Sequence, residues 1–162
     1  PQCVGLAINA NGNPARFAPT GLPVVPDSIG DNPGPLAGIL AGLDFAAGAG
    51  FGWIATVAAD TPFFPPDLVA RMWETAGGSR IVLAADRDGA GPPRLHPTFG
   101  LWQTGLRDEL RAALLAGTRR VREWADGQGA VTVVFDGAED PFFNINTPAD
   151  LEEAEKRLAH RR

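Results

Sequence analysis

Short apolar runs alternate with segments of helical periodicity along most of the chain. The runs that have the length and β-branched content of strands lie at residues 3–8, 22–25, 53–59, 80–85, 95–102 and 131–135. Helical patterns occupy residues 35–47, 66–76, 105–115 and 119–125, and turn and capping residues at 147–150 introduce a last helix. This order predicts an α/β fold with a three-layer, mostly parallel sheet. Because the strands at 80–85 and 95–102 are consecutive, we expect one antiparallel strand in that sheet.

Composition limits the class of protein. The chain has 162 residues, of which 44% are hydrophobic and 20% charged, as expected for one globular domain spanning residues 1–162. Its net charge of -5, with no basic block, argues against nucleic acid or an anionic membrane surface as the main partner. No apolar run approaches the roughly 20 residues that span a bilayer. The single cysteine, Cys3, fits a reducing compartment, so we expect a cytoplasmic location.

Asp60 is the first candidate for chemistry. It follows the apolar run at residues 53–59, which suits a buried strand of a parallel sheet. Ligands bind beyond the carboxyl ends of such strands, and Mg²⁺ commonly takes one or two protein carboxylates with water and phosphate oxygens. Alternatively, Asp60 only stabilises the turn before the next helix. The pattern of residues alone leaves both interpretations open.

Several short motifs together resemble the molybdenum cofactor guanylyltransferase family, whose members look like Rossmann-type nucleotidyltransferases. The main matches are Asn9-Ala10-Asn11, Gly34-Pro35-Leu36-Ala37-Gly38-Ile39, Asp60-Thr61-Pro62 with Pro65-Pro66-Asp67-Leu68, and Asn144-Ile145-Asn146-Thr147-Pro148. Weaker matches are His96-Pro97-Thr98 and Arg119-Arg120-Val121. The order and spacing of these motifs cover nearly the whole chain.

The resemblance implies transfer of GMP from GTP to molybdopterin, with release of pyrophosphate. It assigns Asp60 to Mg²⁺ and places Asn9, Asp27, Gly34 and Gly38 with Asp60 in the GTP site. Asn9 and Asp27 both follow apolar runs, so they should reach the same edge of the sheet. The structural alternatives are that both residues stabilise their own turns and that the glycines serve packing. Molybdoenzymes or their chaperones are further partners of such an enzyme.

The resemblance also assigns a molybdopterin site. Arg119 and Arg120 are candidates for its phosphate, and Asn144 and Asn146 for contacts with the pterin or the phosphate. An arginine pair at a helix start is otherwise simply solvated, and the two asparagines are otherwise turn and cap residues. His96 precedes a proline and is interpreted as a structural histidine.

One element of the family pattern is not found in the sequence. The family pattern includes a glycine-rich loop after the first strand, Leu-Ala-Gly-Gly, followed by an Arg-Met-Gly stretch and a lysine. The only lysine in this chain, Lys156, lies in the predicted last helix. Such loops wrap a triphosphate with backbone amides. We therefore expect that an N-terminal segment precedes Pro1, with a real truncation as the alternative, and that residues 1–162 alone are inactive. The sheet should then have either an open position beside the strand at 3–8 or another segment that fills it.

Two other functions compete with guanylyl transfer. A cytidylyltransferase for the same cofactor would share the fold and the metal chemistry. Those sequences tend to carry Asp-Gln-Pro where this chain has Asp60-Thr61-Pro62, which favours the guanylyl interpretation. A noncatalytic module that binds molybdopterin is the alternative from another class, and the missing loop and lysine are its main support.

Overall fold

A computed structural model describes residues 2–30, 34–87, 91–136 and 140–160. Its strands are β1 (Ile8–Asn9), β2 (Val24–Val25), β3 (Trp53–Thr56), β4 (Ile81–Asp86), β5 (Arg94–Gln103) and β6 (Val131–Phe135). Its α-helices are α1 (Pro35–Gly48), α2 (Leu68–Ala76), α3 (Arg107–Leu115), α4 (Val121–Gly127) and α5 (Pro148–His160). Short 3₁₀ helices cover Pro14–Thr20 and Thr104–Leu106. Within the described ranges, no helix has the length and apolar character needed to cross a membrane.

The main sheet is mixed, as the two consecutive strands predict. Its order is β3-β5-β4-β6. β5 runs antiparallel to both β3 and β4, and β6 runs parallel to β4. Strands β3, β4 and β6 therefore point the same way and bring their carboxyl ends to one edge of the sheet.

Helices cover both faces of this sheet, which confirms the three-layer architecture. All residues of β4 are buried, and they alternate between two cores. Ile81 and Leu83 pack with α1, α3 and α4, whereas Val82 and Ala84 pack with α2. Alternation of side chains along a strand produces this division, because successive side chains point to opposite faces.

The first predicted strands are shorter than the apolar runs suggest. β1 contains only Ile8 and Asn9, which pair in parallel with Val24 and Val25 of β2. The preceding residues are exposed, and Gln2 contacts α2 instead: its Oε1 accepts hydrogen bonds from the first backbone N–H groups of that helix at 2.8 and 3.1 Å. Orphan N–H groups at a helix start are satisfied by such side-chain acceptors. The hydrophobicity of residues 3–8 does not reveal that Gln2 contacts a distant helix instead of extending β1.

β3 also differs from the sequence-based expectation. The predicted buried strand at residues 53–59 ends at Thr56, and all its residues are only half-buried. β3 pairs only with β5, and β1 only with β2, so each has an unpaired edge within the described chain. The carboxyl end of β3 still lies at the edge of the sheet where the functional candidates gather.

An irregular segment of β5 shapes that same edge. Leu83 pairs with Gly100, but the next residue, Ala84, pairs with His96, so three residues of β5 have no partner on β4. Pro97 lies in this bulge and has no N–H to donate to a ladder. The Thr56 hydroxyl donates a 2.9 Å hydrogen bond to the carbonyl of Thr98 and holds the bulge in place.

Candidate active site

A cleft of about 490 Å³ lies beyond the carboxyl ends of β3 and β6, beside the bulge and first residues of β5. The side chains that line it come from segments widely separated in sequence. They belong to Ala58, Asp60, Thr61, Arg94, Leu95, His96, Thr98, Phe99, Asp140, Phe142, Phe143 and Asn144. Convergence of several loops at this edge is the usual arrangement of ligand sites in α/β sheets.

Asp60 lies in the turn after β3, four residues beyond Thr56 rather than directly at the strand end. Its side chain is exposed, and Oδ1 accepts a 3.2 Å hydrogen bond from the Thr61 hydroxyl. Its backbone carbonyl accepts a 2.8 Å hydrogen bond from the N–H of Ile145. That bond ties the two loops together and brings Asp60 and Asn144 into the same cleft.

Asp86 and Arg94 form an ion pair that the sequence analysis did not single out. Arg94 Nε lies 3.0 Å from Asp86 Oδ1 and Nη2 lies 2.6 Å from Oδ2, which makes the contact bidentate. Burial alone would raise the pKa of the Asp86 carboxyl, but its contacts with Arg94 and His96 together outweigh burial and lower that pKa. The Asp86 hydrogen bond is also the main reason that the pKa of Arg94 is raised. Asp86 is therefore charged and held against two residues that line the cleft, Arg94 and His96.

His96 has the environment of a structural histidine. Its ring stacks on Phe142 with the centroids 4.2 Å apart, and Phe99 packs against both rings. Nε2 lies 3.1 Å from Asp86 Oδ1, but the contact lacks the alignment of a hydrogen bond. We therefore treat it as an electrostatic contact. The ring supports the aromatic wall of the cleft and helps to hold Asp86.

A second polar cluster lies before α1. Asn9 Nδ2 donates to Asp27 Oδ1 and Asn11 Nδ2 donates to Asp27 Oδ2, both at 2.9 Å. The backbone N–H of Asp27 returns a 2.9 Å hydrogen bond to Asn11 Oδ1. Asn9, Asn11 and Asp27 form what we name the asparagine cluster. The structure thus brings Asn9 and Asp27 together, as expected. It adds Asn11, the last residue of the Asn9-Ala10-Asn11 motif, to the same cluster.

The glycines of α1 lie next to this cluster. A Cβ at Gly38 would overlap Asn9 Oδ1, so glycine allows the asparagine side chain to approach the helix backbone. Gly34 precedes the first turn of α1 and has a φ of 72°, a conformation that favours glycine. The close approach expected at these glycines is therefore present at Gly38, where the partner is Asn9.

The other residues that were predicted to bind molybdopterin do not line the cleft. Arg119 is exposed, and its Nη1 donates to the carbonyls of Leu114 and Thr118 at 2.9 and 2.8 Å, which stabilises the end of α3. Arg120 is exposed immediately before α4. The backbone N–H of Asn146 donates to Asp150 Oδ2 at 3.0 Å, so this segment serves the start of α5. Their substrate contacts remain predictions.

A signal for one of the missed residues was present in the sequence. Asp86 ends an apolar strand in the same way that Asp60 follows one, and the argument from strand ends applies equally to it. Arg94 and Asp140 carry no such signal, because their contact with each other depends on how β5 and the segment after β6 meet.

The donor set of the cleft fits a hard cation that binds mainly to substrate and water. Asp60 supplies an exposed carboxylate, whereas the described residues contain no group of three or more His, Cys, Asp or Glu side chains that could enclose a metal. Mg²⁺ commonly binds through one or two carboxylates and completes its coordination with phosphates and water, so this arrangement fits it.

Comparison with known proteins establishes the family. The family model described as MobA-like NTP transferase domain matches residues 1–132. The chain belongs to this family. It is 45% identical to the molybdenum cofactor guanylyltransferase of Nitrobacter hamburgensis over 98% of this chain and 77% of that protein. The corresponding protein of Rhodobacter capsulatus is 44% identical, with the same coverage. The chain is thus a nucleotidyltransferase that spans about three-quarters of the length of these relatives.

Solved structures confirm the fold. Molybdopterin-guanine dinucleotide biosynthesis protein A from Archaeoglobus fulgidus has a TM-score of 0.67 at 22% identity, over 94% of this chain and 77% of that one. The 2-C-methyl-D-erythritol 4-phosphate cytidylyltransferase from Thermus thermophilus has a TM-score of 0.64 at 18% identity, over 97% of this chain and 83% of that one. A molybdopterin-guanine dinucleotide biosynthesis protein and a cytidylyltransferase thus share this architecture, so the fold alone does not identify the base of the nucleotide.

Proposed function

We propose that this protein transfers GMP from GTP to molybdopterin and releases pyrophosphate. The observation that carries the proposal is the cleft that joins Asp60 to Asn144 at the carboxyl edge of the sheet. Identity of 44–45% with relatives named molybdenum cofactor guanylyltransferase supports the same reaction. The asparagine cluster provides a separate polar site for the nucleotide.

The asparagine cluster suits recognition of guanine. The base presents adjacent N1–H and N2–H donors, and a carboxylate is an acceptor-only group with about four lone-pair sites. Asp27 uses one hydrogen bond on each oxygen to hold Asn9 and Asn11, which leaves acceptor capacity for the base. Cytosine offers a different arrangement of donors and acceptors. A wrong base therefore leaves polar groups unpaired, which is costly in a site built for hydrogen bonding.

The reaction joins an oxygen of the acceptor phosphate to the α-phosphorus of GTP and breaks the bond from that phosphorus to the bridging oxygen of pyrophosphate. Phosphoryl-type transfer depends chiefly on positioning and on stabilisation of charge. Asp60 would hold Mg²⁺, whose charge stabilises the triphosphate and the departing pyrophosphate. Asn144 would contact the acceptor from the opposite loop of the cleft. Arg119, Arg120 and Asn146 are proposed to contribute outside the cleft lining.

The test is a competition between GTP and CTP with the full-length protein and molybdopterin. We expect GTP to be preferred by a factor of about 100 or more in kcat/KM, because the wrong base loses its hydrogen-bond partners. Analysis of the dinucleotide product by mass spectrometry identifies the base. Equal or better transfer from CTP would assign the protein to the cytidylyl class. Binding of GTP and molybdopterin without any dinucleotide product would instead support the noncatalytic module.

A further inference from the structure

Arg94 is the arginine in the cleft lining, and two carboxylates contact it in different ways. Asp86 holds it through two hydrogen bonds at 3.0 and 2.6 Å, and the Asp86 side chain is only 5% exposed. Asp140 contacts Nη2 at 3.2 Å, and its side chain is 42% exposed. Asp86 is therefore the fixed partner, and Asp140 is the partner that solvent or a ligand can replace at small cost.

The guanidinium has donors left for a ligand. Nε and Nη2 serve Asp86 and Asp140, whereas Nη1 donates to no residue in the part of the chain that the structure describes. The Arg94 side chain is 58% exposed toward the cleft. Arginine held by a buried carboxylate on one side presents a rigid planar face on the other, which suits bidentate binding of an anion.

The backbone fixes the position of Asp140 at the cleft. Its φ is 40°, a left-handed conformation that is uncommon for residues other than glycine. The next residues, Pro141 and Phe142, are buried, so the loop is anchored immediately after it. Asp140 thus lines the cleft on a backbone that is anchored by the next two residues, and its half-exposed carboxylate contacts Arg94.

We propose that Arg94 binds the phosphate of the acceptor substrate. Asp140 forms an ion pair with Arg94 until this phosphate displaces the Asp140 carboxylate. The substrate class is a phosphomonoester, and its identity as molybdopterin rests on the proposed function. Asp86 is a positioning residue that remains bound to Arg94 in both states. When the phosphate displaces Asp140, it replaces the Asp140 carboxylate beside Arg94. The two negatively charged groups therefore do not have to share the same side of the guanidinium.

The aromatic wall of the cleft supports the same substrate class. Phe142 is buried and stacked on His96. Phe143 lines the cleft, and the Arg157 guanidinium lies 4.2 Å from its ring centroid. The contacts with His96 and Arg157 hold the two rings in place, and both rings belong to the same cleft lining as Arg94. A substrate with a flat ring and a phosphate could therefore place its ring against this wall and its phosphate on Arg94.

The test compares Arg94→Gln and Asp140→Asn in the full-length protein, because the proposal predicts opposite effects. Arg94→Gln should raise the KM for molybdopterin about tenfold or more, since a charge-assisted contact is lost. Asp140→Asn should lower that KM about twofold to fivefold, since a competing carboxylate is removed. The Kd for GTP, measured by calorimetry, should change less than twofold in either variant, because neither residue belongs to the asparagine cluster that is proposed to bind the base.

Arg80 and Glu109 provide matched controls. They form a bidentate pair at 2.7 and 3.0 Å on the protein surface, and neither lines the cleft. Arg80→Gln and Glu109→Gln should leave both the KM for molybdopterin and the Kd for GTP unchanged. A purely structural role for the Arg94 contacts would make Asp140→Asn neutral or harmful, and either result would overturn the proposal.

A second measurement separates this inference from the proposed function. Inorganic phosphate is titrated into each protein and its binding followed by broadening of the ³¹P resonance. We expect binding to weaken in Arg94→Gln and to strengthen in Asp140→Asn. If this pattern appears without GMP transfer by the wild type, the anion site stands and the proposed reaction fails. If GMP transfer is normal but Arg94→Gln affects neither phosphate nor molybdopterin, the reaction stands and the anion site is wrong.

Discussion

The cleft and the asparagine cluster are both polar, but they are built in opposite ways. The cleft is anchored by a buried carboxylate, Asp86, that is held by residues of a neighbouring strand. The asparagine cluster is formed by Asn9 at the end of β1 and by Asn11 and Asp27 in the segments that follow β1 and β2. These side chains mainly satisfy one another, and Asn9 and Asn11 are exposed. The first arrangement is pre-organised by the core. The second depends on a few local hydrogen bonds.

This difference has a consequence for how each site fails. A substitution at Asp86 would leave a partly desolvated group unpaired, so a change at this buried anchor should cost stability as well as binding. Water can replace hydrogen bonds lost from the asparagine cluster, so a change there should mainly alter affinity for the nucleotide. Substitutions in the two regions therefore distinguish a site that depends on the buried core from a site that depends on a few exposed hydrogen bonds.

The largest effect is expected from Asp60→Asn. The fold should persist, because Asp60 is exposed and its backbone contact with Ile145 is retained. GMP transfer should fall by several orders of magnitude, roughly 10³-fold or more, because the side chain proposed to hold the metal loses its charge. Initial rates at saturating GTP and Mg²⁺ measure the effect.

Asp67→Asn is the matched control for this change. Asp67 is an exposed carboxylate in the same connection between β3 and α2, and it makes no capping hydrogen bond through its side chain. Its substitution should leave the rate close to that of the wild type. Near-normal transfer by a folded Asp60→Asn protein would remove Asp60 from the metal site.

The next effect tests how far the cleft depends on the core. Asp86→Asn should lower the free energy of unfolding by about 1–3 kcal/mol at neutral pH, because a buried charge-assisted contact is lost. The pKa of Asp86 is lower in the folded protein than its usual value of 3.8. Its stabilising contribution is therefore present above that value and disappears as the pH falls through the lower folded pKa.

Urea unfolding of the wild type and Asp86→Asn between pH 7 and pH 3 measures this dependence. The stability gap between them should be constant near neutrality and narrow below about pH 4. Glu109→Gln removes a carboxylate from an exposed ion pair and should produce a smaller change at every pH. A gap that widens toward acid would show that the charge of Asp86 does not stabilise the fold.

The sequence predicted much of the fold because periodicity reports burial directly. The run at residues 131–135 matches β6, and the consecutive strands after α2 produced the antiparallel β5 as expected. The run at 3–8 misled because apolar residues there are exposed while Gln2 binds α2. Periodicity records the propensity of a segment but not a competing contact 67 residues away along the chain.

The site was predictable only where its residues belong to short motifs. Asp60 followed from its place after an apolar run, whereas Asn9, Asp27 and Asn144 were assigned by the family resemblance. The structure brings these four residues together in two groups. Arg94 was missed because its place in the site depends on contacts with other segments of the chain, one of them with a residue 46 positions away. A salt bridge across elements leaves no spacing rule in a single sequence, whereas a strand end or a turn does.

The smallest effect is expected from Gly38→Ala, which acts on the asparagine cluster through α1. Alanine is favoured over glycine in a helix by about 0.5–1 kcal/mol, but its Cβ would overlap Asn9 Oδ1. Moving the Asn9 side chain breaks its 2.9 Å hydrogen bond with Asp27. The two contributions should nearly cancel in stability, while the KM for GTP rises about threefold to tenfold because Asp27 is no longer held.

Gly48→Ala separates the two contributions, because Gly48 also lies in α1 and a Cβ there would meet nothing within 4 Å. It should raise the free energy of unfolding by up to about 0.5–1 kcal/mol and leave the KM for GTP unchanged. Chemical denaturation and GTP titrations of the two variants provide the comparison. If Gly38→Ala were stabilised as much as Gly48→Ala and bound GTP normally, the position of Asn9 against the helix would have no role in the nucleotide site. A rise in KM for GTP with unchanged KM for molybdopterin would instead show that the asparagine cluster serves the nucleotide independently of the cleft.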